Sequence, residues 1–170
     1  LAINNKELDL IIEQLNKENS SSLMVGFNRR FSPHLKYIKN SIGQANLINL
    51  NLTMNAGHIP KTHWVQDMDI GGGRIIGEAC HFIDACVFIT GSLVDSVCVN
   101  SLGLESKINS DNVSILLKFK NGSNASLNYF SNGSREYSKE RIEVFSQEKV
   151  WIVDNFQTTK TYGSKNGKTI

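Results

Sequence analysis

One stretch restricts what this chain can fold into more than any other: Gly71-Gly72-Gly73-Arg74-Ile75-Ile76-Gly77-Glu78-Ala79-Cys80-His81-Phe82-Ile83-Asp84. The glycines open a run that reads as a helix over about 73–90, stopped by Gly91. Ile75, Ile76, Ala79, Cys80, Phe82, Ile83, Cys86, Val87 and Ile89 spread apolar surface around most of its circumference. A helix apolar nearly all round is a buried helix. Arg74, Gly77, Glu78, His81 and Asp84 fall instead on one narrow stripe, at spacings of three and four. Polar groups on a buried stripe are paired or face a wet cleft. Gly77, one turn before His81, leaves the backbone bare to a close approach. The rest of the chain must therefore bury this helix, and the stripe is the first place to look for a site.

The flanking sequence supplies the cover. Asn4 and Glu7 form a capping box, and Leu8, Ile11, Ile12 and Leu15 mark one face of a helix ending near Glu18. Residues 23–27 read as a short buried strand. Ser32 and Pro33 suit the cap and first position of a second helix, closed by the turn at Ile42-Gly43. Residues 44–54 alternate as a strand, and 55–70 form a long irregular loop, long enough to suspect function. Beyond Gly91 the pattern changes to short β-rich runs at 94–104, 113–119, 125–130, 141–145, 150–153 and 156–162. Asn121-Gly122 is a hairpin signal, and Asn132-Gly133 marks another turn. Hairpin-linked strands with one long helix predict an α+β fold: an open, largely antiparallel sheet with one face covered by helices.

Composition excludes several classes. Hydrophobic residues at 40% and charged residues at 20% are ordinary for a globular chain, and a net charge of +2 leaves no electrostatic footprint for nucleic acid or membrane. No apolar run reaches the roughly 18 residues of a membrane span. Cys80, Cys86 and Cys98 sit in apolar contexts and read as buried free thiols, which points to a reducing cytoplasm. His58, His63, Asp67 and Asp69 match no metal-ligand spacing, so no metal is expected. The glycine cluster at 71–77 is one residue too long for a Gly-x-Gly-x-x-Gly fingerprint and follows a polar loop rather than a strand. The chain by itself is therefore no dinucleotide binder.

The segment "GGGRIIGEACHFID" resembles the central-helix signature of the Gfo/Idh/MocA family of NAD(P)-dependent sugar oxidoreductases. "VGFNRRFSP" is similar to that family's link between its nucleotide-binding and second domains. His81 and Asp84 match the family pattern; Gly77 stands where many members have Asp, and Ala79 where they have Gly. The Gly-Glu form is similar to a subgroup associated with cyclic polyols and nucleotide sugars. Leu1-Ala2-Ile3-Asn4 looks like the segment that follows a Glu-Lys-Pro motif carrying the family's catalytic lysine. The resemblance implies that residues 1–32 are the helix-strand remnant and linker of a nucleotide-binding domain. Residues 33–170 would be the C-terminal substrate and oligomerisation domain.

Further expectations follow from the stripe, the linker's position and the resemblance together. His81 would be the catalytic residue beside the substrate hydroxyl or carbonyl. Arg74, Glu78, Trp64 and Asp84 would line the substrate. Arg74 would hold an anionic group, Glu78 would contact substrate or pair with Arg74, and Asp84 would orient His81. Trp64 would stack on a sugar ring or plug its loop onto the core. Asn28, Arg29 and Arg30 would touch the cofactor, NAD or NADP, which the absent domain would mainly bind. The substrate would be a sugar or polyol, possibly carried on a nucleotide, and the sheet's second face would join subunits into homodimers or homotetramers. The fragment alone would be inactive. The alternatives are a non-catalytic α+β dimerisation module and a sugar-binding module without chemistry.

Overall fold

The computed structural model describes residues 1–19, 21–43, 47–104 and 110–163. Its centre is a seven-stranded sheet: β1 (Asn49–Asn55), β2 (Val94–Ser101), β3 (Val113–Phe119), β4 (Asn124–Phe130), β5 (Glu140–Ser146), β6 (Lys149–Asp154) and β7 (Thr158–Tyr162). The spatial order is β2-β3-β4-β1-β5-β6-β7. Only β1 and β4 run parallel; every other neighbouring pair is antiparallel. The parallel pair exists because the chain leaves β1, crosses one face as the long loop and central helix, and adds β2 and β3 before returning. The α+β class and open, largely antiparallel sheet read from the sequence are what is observed.

Period-two alternation sends one set of side chains to a common face. Leu50, Leu52, Met54, Ile115, Leu117, Leu127, Ile142, Val144, Trp151 and Val153 are all buried there. Two helices cover that face, α2 (Pro33–Ile42) and α3 (Cys80–Thr90). α2 starts because the Ser32 hydroxyl accepts from the Leu35 amide at 3.1 Å and Pro33 tolerates the first position. It buries Leu35, Ile38 and Ile42. α3 contributes Phe82, Ala85, Cys86 and Ile89, and Gly91 ends it in the left-handed conformation at φ 67°.

The expected helix over about 73–90 is helical throughout, with a π turn over Ile75–Ala79. The glycines before it have steric reasons. Gly72 and Gly73 have φ of 67° and 79°, and a Cβ on Gly71 would lie 2.6 Å from the Val65 Cα.

Three expectations are corrected. Residues 23–27 form no strand: the segment has no regular structure, and Leu23, Met24 and Val25 are exposed, Met24 at 85%. A strand needs a neighbour's ladder, and none of the seven strands lies beside it. The first helix, α1 (Asn5–Leu15), has the predicted Asn4–Glu7 cap but ends before Glu18 and buries none of its residues. Cys98, read as buried, is exposed on edge strand β2, whereas Cys86 is buried, as expected, and its thiol is pushed up to about 12 by burial. The ends at 44–46 and 164–170 lie outside the described residues.

Candidate functional site

The site is built where the segment Asn28–Phe31 crosses α3. Phe27 precedes it, and its ring meets His81 edge-on, 5.5 Å between centroids at 89°. Arg29 sends a two-pronged pair to Glu140 at the start of β5, at 3.0 and 2.7 Å, with its guanidinium 4.3 Å above the Phe82 ring. Arg30 forms a second two-pronged pair with Asp84, its Nε 2.8 Å from Oδ2, and lies over Phe88. Planar guanidinium against planar carboxylate fixes both distance and angle. One such pair binds the linker to the helix that carries His81, and the other binds it to the sheet.

Asp84 therefore does not orient His81, as the spacing implied. Its carboxylate is taken by Arg30, whose own protonated form is strengthened by that hydrogen bond. His81 is partly exposed, yet its Nδ1 is buried without a hydrogen-bond partner among the described residues. Burial, and next the Arg29 charge, hold the imidazole below the ordinary histidine range, against the opposing pull of Asp84, Glu140 and Glu78.

Arg74 is 3% exposed and faces inward. Its Nη1 donates to the Gly57 carbonyl at 2.6 Å, its Nη2 to the Ala56 carbonyl at 3.3 Å, and its Nε to the Glu78 carboxylate at 3.3 Å. A guanidinium so buried and so engaged is not presented to a substrate anion. The role expected for it passes to support: it ties the loop after β1 to the central helix. Glu78, a third exposed, also accepts from the Tyr129 hydroxyl at 2.8 Å. Burial, and then that hydrogen bond to a carboxylate, raise the Tyr129 pKa. The phenol is thus a fixed donor, and Glu78 a fixed acceptor with one side open.

Sequence reasoning missed Tyr129 and Phe27. Tyr129 carried a usable signal, since it follows Ala125 and Leu127 on the inward face of β4 and a buried phenol seeks a partner. Phe27 had none, because its role depends on a crossing remote in sequence. Trp64, expected to stack on a sugar or plug the core, is 61% exposed in a single turn over Trp64–Gln66 and plugs nothing. Asn28 is exposed, beside the two engaged arginines. The structure thus brings together His81, Asp84, Arg29, Arg30 and Phe27 on one side of α3, and Glu78, Arg74 and Tyr129 a turn earlier. The Cys80 thiol is raised by burial and lies 3.7 Å from the Gly77 carbonyl, poorly suited to act as a nucleophile. Chemically, the arrangement offers a neutral imidazole and an anchored carboxylate to a ligand rich in hydroxyl groups.

Comparison with known proteins bears on the family. The profile of the GFO/IDH/MocA C-terminal domain matches residues 38–151. The chain is 27% identical over 148 residues to the uncharacterized oxidoreductase YrbE of Bacillus subtilis, covering 84% of this chain and 43% of that protein. It is 25% identical over 166 residues to myo-inositol 2-dehydrogenase of Thermotoga maritima, covering 94% and 48%. The chain thus spans about half the length of the curated relatives it matches. Among solved structures, levoglucosan dehydrogenase in complex with NADH shares the fold at a TM-score of 0.76 and 19% identity, over 99% of this chain and 52% of that one. UDP-N-acetylglucosamine 3-dehydrogenase from Acidithiobacillus ferrooxidans does so at 0.75 and 20%, over 99% and 52%.

Proposed function

The chain belongs to the GFO/IDH/MocA family through its C-terminal domain, and from that premise we propose that it is the substrate-facing half of an NAD(P)-dependent dehydrogenase. The reaction would be reversible hydride transfer at a C–OH group of a sugar or cyclic polyol. Relatives named as inositol 2-dehydrogenases, and fold neighbours named as dehydrogenases of levoglucosan and a nucleotide sugar, support the substrate class. The single observation that carries the reading is His81: a partly exposed imidazole on a buried helix, kept neutral, beside the fixed carboxylate of Glu78.

The nicotinamide, when bound, supplies the hydride acceptor or donor. This chain does little to hold it. Arg29 and Arg30 are each spent on a carboxylate, and no phosphate-cradling glycine turn is present among the described residues. Asn28, exposed, is the linker residue suited to approach it. The dinucleotide would sit on a further domain of the whole protein. Two uncovered apolar surfaces support such a domain. One is α1, where Leu8, Leu10 and Ile12 are all exposed; the other is an open groove of about 610 Å³ lined by Leu23, Met24, Val25, Phe27 and Phe31. Residues 1–32 thus read as the edge of that domain, and 33–170 as the substrate domain.

What the chain's own residues do then follows. His81 hydrogen-bonds the reacting oxygen. Glu78, held by Arg74 and Tyr129, accepts from a neighbouring hydroxyl and fixes the ring's rotation. Phe27, edge-on to the ring, excludes water from the imidazole's flank. The decisive experiment is NAD(P)H formation by the full-length protein with myo-inositol, levoglucosan and UDP-N-acetylglucosamine. Turnover with at least one, lost by about 10²-fold or more in His81→Ala with folding intact, is expected. Full turnover in that variant would refute the reading.

A further inference from the structure

We propose that His81 is held as the neutral tautomer protonated on Nε2, so that it offers the substrate oxygen a hydrogen-bond donor and is not the site's proton acceptor. The donor role rests on the reading above; the tautomer stands on the geometry of this chain alone.

The argument begins at Nδ1. It is closed to solvent and has no hydrogen-bond partner among the described residues. The atoms that seal it belong to this chain, so no ligand or further domain reaches it from outside. A proton placed there would be a buried donor with no acceptor, at a cost of about 1–3 kcal/mol. A bare lone pair in the same place is tolerated more readily than an orphaned N–H. The imidazolium carries protons on both nitrogens and meets the same obstacle. Both forms with a proton on Nδ1 are therefore disfavoured, and the Nε2–H form is left.

The charges around the ring agree. Arg29 approaches from the linker and opposes a second positive charge. Asp84 and Glu78 on its own helix, and Glu140 on β5, favour the cation, but burial first and Arg29 next outweigh them. Asp84 is held by Arg30, Glu140 by Arg29, and Glu78 by Arg74 and Tyr129. The carboxylate usually found behind a catalytic histidine, which accepts from Nδ1–H and makes Nε2 the basic nitrogen, has here been turned away to Arg30. Nε2 is the nitrogen open to a ligand: it is not among the sealed, unpartnered atoms, and it makes no hydrogen bond within the described residues. With the proton fixed there, His81 can steady a carbonyl or alkoxide oxygen and cannot remove a hydroxyl proton.

The test is long-range proton–nitrogen correlation spectroscopy of the chain labelled with 15N-histidine, with His81 assigned by its loss in His81→Gln. The expected result at pH 7 is a bare Nδ1 and a protonated Nε2, with a titration midpoint below the ordinary histidine value of about 6.5. A protonated Nδ1, or a cation at pH 7, would overturn the proposal. In the full-length enzyme, Gln places an amide N–H where Nε2–H stood. Turnover within about tenfold of wild type in His81→Gln, against a loss of about 10²-fold in His81→Ala, is expected. Equal losses in the two variants would sink the donor role. A full-length protein without dehydrogenase activity would remove the functional reading and leave the tautomer result standing.

Discussion

Gly71 and Gly77 lie in one segment and answer to opposite constraints. A Cβ on Gly71 would meet the backbone of Trp64 and Val65 at 2.6–2.7 Å, whereas a Cβ on Gly77 would meet nothing within 4 Å. Gly77 is helical and needs no positive φ. Glycine inside a helix costs about 0.5–1 kcal/mol relative to alanine. Gly77→Ala should therefore stabilise the chain by about that much, while Gly71→Ala destabilises it, both read from urea midpoints. Tyr129→Phe should cost about 1 kcal/mol, because it removes the hydroxyl that holds Glu78. His81 adds a pH dependence. Its folded pKa lies below the unfolded value, so the unfolded chain takes up a proton that the folded chain refuses. Stability is unaffected above about pH 6.5 and falls as pH drops below it. Stability curves between pH 7 and 5 should show a shallower fall for His81→Gln than for wild type.

Among the elements, the crossing of residues 28–31 over α3 matters most. Asp84 is 8% exposed and Arg30 about a third exposed, so their pair sits at a half-wet boundary. Asp84→Ala should cost about 1–3 kcal/mol by leaving the guanidinium without its acceptor. Combining it with Arg30→Met should lose less than the sum of the single changes, as a double-mutant cycle would show. This crossing was only half legible in the sequence. The apolar circumference of 73–90 announced a buried helix, and the alternation after Gly91 announced the strands, because both patterns are local. The stripe at spacings of three and four also placed Glu78 beside Arg74 correctly. It misassigned Asp84, because a neighbour one turn away competes with a partner from far along the chain, and a bidentate arginine wins. The strand expected at 23–27 failed for a related reason: apolar composition permits a strand, but a ladder partner makes one.

On the scale of the whole molecule, the two sides of the sheet differ in kind. The helix-covered side is mostly hydrocarbon, with Tyr129, Thr159 and Thr161 as its polar members. The other carries Asn49, Asn51, Ser126 and Asn128 at its centre, with exposed Leu116 and Phe145 to either side. That mixed surface is the one proposed to join subunits. If this face joins subunits as proposed, Leu116→Asp with Phe145→Asp should leave the full-length protein monomeric in sedimentation where the unsubstituted protein is oligomeric, with secondary structure unchanged. The catalytic account needs the opposite side, where the linker, central helix and loop after β1 meet. A crystal structure of the full-length protein with the proposed nicotinamide cofactor and myo-inositol, or whichever probe turns over, tests this most directly. The account predicts a substrate oxygen within about 2.6–3.2 Å of His81 Nε2 and a second hydroxyl on the Glu78 carboxylate. Substrate bound elsewhere, with His81 facing no ligand, would contradict it.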